Sequence, residues 1–500
     1  MRRDKSENIG RRERKKTEKN GFKKFTRFWS IVYCLLLIAF LATLIYMNLL
    51  PTKLLLIVGG VLLGISILIV PALFFKRFKK SRRIIALVFS IILMAVYGLG
   101  IAYMYGTIDF MSSISKLHQE TEDYYVVVNK DGKYQEIDEI KGIKVQTYMT
   151  NELNYSDAKT QLKDKENVEY DMISDLPEIG KGLIDKTYEV IFISAAHYDT
   201  IKEQVENFVE ESKIIYTVKV VKEGKDLSKK VDVTKEPFNV YISGLDTEGS
   251  IDVVSRSDVN MIVTVNPKTH KILLTSIPRD YYINLPSKNN SGDKLTHTGL
   301  YGISETIGAV EQLLGIDVNY FVKVNYTTVT KFVDAIGGID VDSDFAFTTH
   351  GQRVYFNYVE GMNHLDGAHA LAFARERKSF SDGDFQRNKN QQKIVEAIIK
   401  KVTGSTALLT KYTNILEAME NSVQINMTTR EMQKLVKMQL NDMPSWNIQS
   451  IDITGLPDMN TCYSTGTAMV SVVDVDQKSI IESVDKIVEV MGTKKVETTE

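Results

Sequence analysis

Three long apolar runs without a single charge, Trp29–Leu50, Leu54–Phe75 and Ile84–Tyr105, constrain this chain more than any other feature. Each has about the 20 residues that a helix needs to cross the hydrocarbon layer of a membrane. A cleaved leader does not explain the first, because its apolar stretch is too long and a second run begins after only "PTK". The chain is therefore expected to open with three transmembrane helices.

Basic residues set the expected orientation. The first 28 residues hold twelve Lys or Arg against four acidic residues, and the connector "KRFKKSRR" (76–83) is strongly basic, whereas "PTK" has one lysine. Positive charge concentrates on the cytoplasmic side of membrane proteins. The N-terminus is thus expected in the cytoplasm, with everything after Tyr105 outside. Residues 1–83 carry +15 of a chain whose total is −1, so the remainder carries −16. An acidic exterior argues against nucleic acid as a partner, since binding a duplex requires a basic face to neutralise phosphates. Cys34 lies in the first apolar run and Cys462 is alone outside, so no internal disulfide is available there.

The exterior part divides in two. From residue 106 to about 235, strand-like runs ("YYVVV", "IKVQTY", "EVIFISA", "IIYTVKVV") alternate with polar, helix-compatible segments. This predicts a small α/β or α+β accessory domain, joined to the next domain by the polar stretch Val221–Phe238. Residues 236–490 read as that second, larger domain, with 491–500 as a polar tail. In it, "NVYISG", "DVNMIVTV", "KILLTSI" and "YFVKV" read as strands. "LYGISETIGAVEQLLG" and "TTVTKFVDAIGG" read as helices. The alternation predicts a layered α/β domain whose sheet contains at least one antiparallel hairpin.

Charged residues cluster in this second domain. A turn centred between Lys268 and Thr269 pairs positions whose numbers sum to 537, which sets Asp258 opposite Arg279, with Arg256 and Asp246 at the same sheet end. Downstream, "FARERKSFSDGDFQRNKNQQ" carries Arg375, Arg377 and Arg387. Asp384 is a good N-cap for a helix to about Val402, and stepping back along its apolar stripe from Ile394 reaches Gln391 and Arg387. Both thus continue the core-facing side. A buried arginine needs an anion or fixed acceptors. Two carboxylates with several arginines suit a diphosphate, with Mg²⁺ held by the carboxylates and guanidinium groups on the remaining oxygens. A salt-bridge network tying strand ends to the later helix is the alternative. Metal and hydrolase signatures are missing: the histidines are scattered, and there is no H-E-x-x-H or G-x-S-x-G.

Three blocks, "ISGLDTEGSIDVVSRSDVNMIVTVNPKTHKILLTSIPRDYYI", "KLTHTGLYG" and "FARERKSFSDGDFQRNKNQQKIVEAI", occur in the order seen in the LytR-CpsA-Psr (LCP) family of cell-wall glycopolymer ligases, which the chain resembles from about Phe238 to Val402 and on through the "NIQSIDITG" strand. The three membrane spans and accessory domain look most like the CpsA branch associated with capsules. The resemblance implies an α-β-α LCP domain with a mixed central sheet. It implies a Mg²⁺-assisted transferase moving a polysaccharide, here a capsular one, from a polyprenyl diphosphate carrier to peptidoglycan, with capsule-synthesis proteins as further partners. Carried over by motif, Asp246 and Asp258 would hold the metal, and Arg256, Arg279, Arg375, Arg377, Arg387 and Gln391 would contact the diphosphate. The prenyl chain would enter an apolar tunnel walled by Leu300, Ile303, Ile307, Val310 and Leu314. Asp280, beside Arg279, is the candidate proton acceptor. A non-enzymatic regulator that binds carrier lipid or polysaccharide is the rival reading.

Overall fold

The structure, a computed structural model, describes residues 2–48, 50–75, 77–115, 120–150, 153–222, 226–247, 251–350, 354–404, 415, 419 and 422–492. These form two units. Most of the expected polar tail, 493–500, lies outside the described residues, as do 223–225 of the expected linker.

The first unit holds three long helices, Arg2–Met47, Thr52–Phe74 and Lys80–Ile114, together with an amphipathic helix Thr429–Asp442. Segments Asn20–Met47, Thr52–Phe74 and Lys80–Ile114 are each long and apolar enough to cross a membrane. Polar side chains join them: Tyr33 Oη lies 2.8 Å from Ser66 Oγ and 3.1 Å from Tyr97 Oη, and Trp29 Nε1 donates to Ser90 Oγ at 2.9 Å. In a bilayer such bonds hold helices together where apolar contact alone does not distinguish a neighbour from lipid. The third helix runs to Ile114, so the accessory domain does not begin at residue 106, the boundary expected from sequence. The helix extends through "GTIDFMSSI" although Gly106, Thr107, Asp109, Ser112 and Ser113 are weak helix formers, and regular sheet starts at Glu120.

The second unit contains the accessory sheet and the sheet of the larger domain. The accessory sheet has five strands in the order Glu169–Ile173, Lys144–Tyr148, Val190–Ser194, Glu120–Asn129, Ser212–Lys222. It mixes parallel and antiparallel pairs: the strand Glu120–Asn129 runs antiparallel to both its neighbours, and the other pairs are parallel. One face packs on Tyr155 and Leu162 of helix Leu153–Glu166, the other on Ile179 and Leu183 of helix Leu176–Ile184.

The larger domain is built on a six-stranded mixed sheet: Val423–Ile425, Tyr320–Val324, Phe238–Leu245, Ser257–Asn266, Lys271–Ile277, Asn447–Asp452. The hairpin register pairs Asn260 with Ile277 and Val265 with Ile272, the register expected from the turn. Alternation along each strand sends side chains to two covered faces. Tyr241, Ile262 and Leu273 face helices Ile303–Leu314 and Gln477–Met491, whereas Val240, Ile242 and Met261 face helix Asp384–Gly404.

The accessory sheet and the larger sheet are stitched together. Thr121 N–H donates to Asp252 O at 2.9 Å, and Thr121 O accepts from Val254 N–H at 3.0 Å. The Glu120 carboxylate accepts the N–H of Ile303 at 3.0 Å and lies 3.5 Å from Lys323 Nζ, with both side chains buried. The stretch read as a linker is likewise pinned, with Lys229 ion-paired to Glu311 at 2.6 Å and its N–H bonded to Asn319 O.

Candidate functional site

At one end of the six-stranded sheet, on the face covered by helix Asp384–Gly404, lies a cavity of about 420 Å³. Part of its lining is aliphatic: Ile242, Val259, Val324, Val329, Leu371, Ile394 and Val395. The lining also collects Asp246, Arg256, Asp258, Arg279, Arg375, Arg377, Arg387 and Gln391, all eight of the residues expected to bind metal or diphosphate.

Local structure places each of them. Asp246 comes directly after the strand Phe238–Leu245 and is exposed. Asp258 lies two residues before the Asn260–Ile277 pair, so it meets Arg279, whose Nη1 donates to Oδ2 at 2.6 Å, while Thr296 Oγ1 donates to Oδ1 at 2.9 Å. Arg256 is buried where the backbone of Ser255–Ser257 runs against Gly299. A Cβ at Gly299 would stand 2.4 Å from Ser255 O, so only glycine permits this approach. Arg375 is the last residue of helix Gly367–Arg375, and Arg377 lies exposed in the loop beyond it. Gln391 Nε2 donates to Ala374 O at 3.3 Å, tying this helix end to the longer helix.

Arg387 carries the most information. It is 7% exposed, and its Nη1 lies 3.3 Å from Asp384 Oδ1, but its buried Nε and Nη2 have no partner among the described residues. Burial pulls its pKa below the usual arginine value; Asp384 opposes this and Arg279 adds to it. A guanidinium left half-satisfied in a desolvated space is a site for an oxyanion. The Asp258 carboxyl is pushed up, first by burial and further by Asp246, with Arg279 opposing. A cation between the two carboxylates would relieve that cost. Their all-oxygen donor set fits Mg²⁺, provided phosphate and water supply the other ligands.

Two expectations need correcting. Leu300, Ile303, Ile307, Val310 and Leu314 do not wall the cavity: Ile303, Ile307, Val310 and Leu314 pack in closed core with Leu273, Ile283 and Val318 on the opposite face of the sheet, and Leu300 is buried away from the cavity lining. An apolar helix stripe shows that a face is buried, not which face of a two-sided sheet it meets. Ile307→Ala is accordingly expected to cost roughly 2–5 kcal/mol of stability. Thermal melts of the full chain in detergent should register that loss, while affinity for geranyl diphosphate in the folded fraction stays unchanged. Asp280 does not line the cavity either. It lies 3.7 Å from Arg279 Nε and 3.3 Å from Lys294 Nζ, and although burial pushes its carboxyl up, these cations outweigh it and hold the pKa low. That makes it a poor proton acceptor.

Sequence reasoning missed Tyr326 and Thr296. Tyr326 lies just past the strand Tyr320–Val324, whose parallel register sets Val324 beside Gly244, two residues from Asp246. Aligning the two strand ends would have found it. Another chemistry-bearing cluster is Asp293, His297 and Cys462, all buried. There Asp293 accepts the backbone N–H groups of Lys294 and Ser464 at 2.7 and 2.8 Å and Ser464 Oγ at 3.0 Å, and lies 2.7 Å from His297 Nδ1. Burial and Asp293 push the Cys462 thiol up to about 12. This is a self-satisfied structural knot, and His297 is accounted for by it.

An anionic head joined to an apolar body fits a space lined by both arginines and aliphatic side chains. The chain belongs to the LytR_cpsA_psr family, whose pattern matches residues 202–486. It is similar to the polyisoprenyl-teichoic acid–peptidoglycan teichoic acid transferase TagU of Bacillus mycoides, 35% identical over 221 residues, covering 44% of this chain and 69% of the relative. The Bacillus subtilis protein of the same name is 35% identical over 240 residues, covering 47% and 72%. Among solved structures, protein gbs0355 of Streptococcus agalactiae is 27% identical with a TM-score of 0.46, covering 55% of this chain and 94% of that one.

Proposed function

We propose that this chain is a membrane-anchored phosphotransferase that moves a glycopolymer, a capsular polysaccharide or a related one, from a polyprenyl diphosphate carrier to peptidoglycan. The observation that carries the reading is the half-satisfied, buried Arg387 in the lining of a cavity that also has aliphatic walls. The TagU relatives, named as transferases from polyisoprenyl-linked teichoic acid to peptidoglycan, support the reaction class. The basic N-terminal tail and second connector support a cytoplasmic N-terminus, with both sheets outside.

In this mechanism the aliphatic walls take the prenyl chain and exclude water from the phosphates. Arg279, Arg375, Arg377 and Arg387 bind the diphosphate oxygens and meet the charge that develops on the leaving phosphate. Asp246 and Asp258 would hold Mg²⁺, which supplies further charge neutralisation across the diphosphate. A peptidoglycan hydroxyl attacks the phosphorus next to the glycan, and the bridging P–O bond breaks. The glycan is left on a phosphodiester, polyprenyl monophosphate departs, and the hydroxyl proton passes to solvent or phosphate.

The test is to incubate the full chain in detergent with a polyprenyl diphosphate oligosaccharide, Mg²⁺ and peptidoglycan fragments. Mass spectrometry should find the phosphodiester-linked conjugate together with polyprenyl monophosphate. Binding of the donor without either product would instead establish a carrier-lipid-binding regulator.

A further inference from the structure

The geometry points to Tyr326 as a positioning residue that serves two parts of the site at once, its hydroxyl orienting the Asp246 carboxylate for metal and its ring holding the Arg375 guanidinium for phosphate. The inference rests on the proposed diphosphate-binding function and assigns a role that the sequence patterns did not.

Three contacts define it. The Arg375 guanidinium carbon lies 4.2 Å from the centroid of the Tyr326 ring, close enough for a cation–π contact. The Tyr326 hydroxyl neighbours the Asp246 carboxylate, with which it lines the same cavity. The Tyr326 N–H is bonded to Thr247 O at 3.2 Å, so its backbone is fixed to the segment that carries Asp246. The residue opens a helix capped by Asn325, whose side chain accepts the Thr328 N–H at 3.1 Å, and that cap sets where the ring points.

These contacts matter because the two groups they serve are otherwise loosely held. Asp246 and Arg375 are both exposed, unlike Asp258 and Arg387. A long exposed arginine has considerable rotamer freedom to lose when it binds, and a ring beneath it removes part of that loss beforehand. A carboxylate whose orientation is fixed by an outer hydrogen bond makes a better metal ligand. One side chain therefore sets the relative placement of cation and guanidinium, which must meet the same diphosphate.

The two roles separate by substitution. Tyr326→Phe keeps the ring and removes the hydroxyl, whereas Tyr326→Leu removes both. With the full chain in detergent, geranyl diphosphate is titrated in EDTA by calorimetry. Mn²⁺ is titrated in the presence of geranyl diphosphate by electron paramagnetic resonance, and thermal melts are run alongside. Tyr326→Phe is expected to weaken Mn²⁺ binding about tenfold while leaving the EDTA affinity for geranyl diphosphate unchanged. Tyr326→Leu is expected to weaken geranyl diphosphate binding about fivefold as well, so that Phe rescues what Leu loses. Unchanged Mn²⁺ affinity in the Phe variant, unchanged diphosphate affinity in the Leu variant, or equal losses of both in both variants would overturn the inference. A wild-type chain that takes up neither probe removes the proposed function and this inference with it. Wild-type binding beside an unaffected Phe variant removes the inference alone.

Discussion

Arg387→Gln should leave the melting temperature of the ligand-free protein unchanged or slightly raised while lowering its affinity for geranyl diphosphate roughly tenfold to a hundredfold. The two halves of this result have separate causes. In the empty site Arg387 is desolvated near Arg279, and its Nε and Nη2 go unmet among the described residues. Deleting the charge therefore removes a cost, and the ion pair lost with Asp384, at 3.3 Å, involves a half-buried carboxylate. When the diphosphate is bound, the same group makes charge-assisted contacts worth roughly 1.5–3 kcal/mol each. A structural salt-bridge network demands the reverse order. Thermal melts beside calorimetric titration decide between them, and a large drop in melting temperature with normal affinity in the surviving folded fraction sinks the diphosphate reading.

The second large effect is expected at the carboxylates, and it should be asymmetric. Asp246→Ala removes an exposed side chain, so melting should not move, yet Mg²⁺-dependent transfer should fall roughly a hundredfold or more through lost charge stabilisation. Asp258→Ala should lose transfer to a similar extent and also cost about 1–3 kcal/mol of stability. It takes away the carboxylate 2.6 Å from Arg279 in a partly buried pair. Transfer rates across a Mg²⁺ titration, measured with melts for both single variants and the double, check this. A double variant that keeps both rate and metal dependence refutes the assignment.

Much of the site was legible because it is built from registers. The turn between Lys268 and Thr269 fixes the pairing of the hairpin, and that pairing alone brings Asp258 to Arg279. Helical spacing alone puts Arg387 and Gln391 on the face of Ile394. What depended on which layer packs on which was not legible. Ile307 and Ile394 both sit on apolar stripes, and nothing in either stripe says that one closes a core while the other borders a cavity. The accessory strand Glu169–Ile173 escaped notice because "EYDMI" lacks a clean alternation. It is an edge strand paired on one side only, so its pattern is weakly constrained. Asp280 was picked for its neighbour in sequence, yet that neighbour, Arg279, is the first cation that holds its pKa low, and Lys294, from the strand Ser291–Lys294, is the second.

The seam between the accessory sheet and the larger sheet bears on how much of the chain must fold together. The family pattern begins at residue 202, inside helix Ala195–Gln204, so it omits all but the last strand of the accessory sheet. Yet Lys323, on a central strand of the larger sheet, meets its carboxylate through Glu120, and the N-terminus of helix Ile303–Leu314 is met by the same residue. A polypeptide cut to the recognised pattern would lose the counter-charge of a buried ammonium and the acceptor at a helix start. The recognised pattern is thus smaller than the interior it depends on. The accessory sheet supplies polar partners inside the larger domain, so substitutions on the two sides of the seam are expected to be energetically coupled.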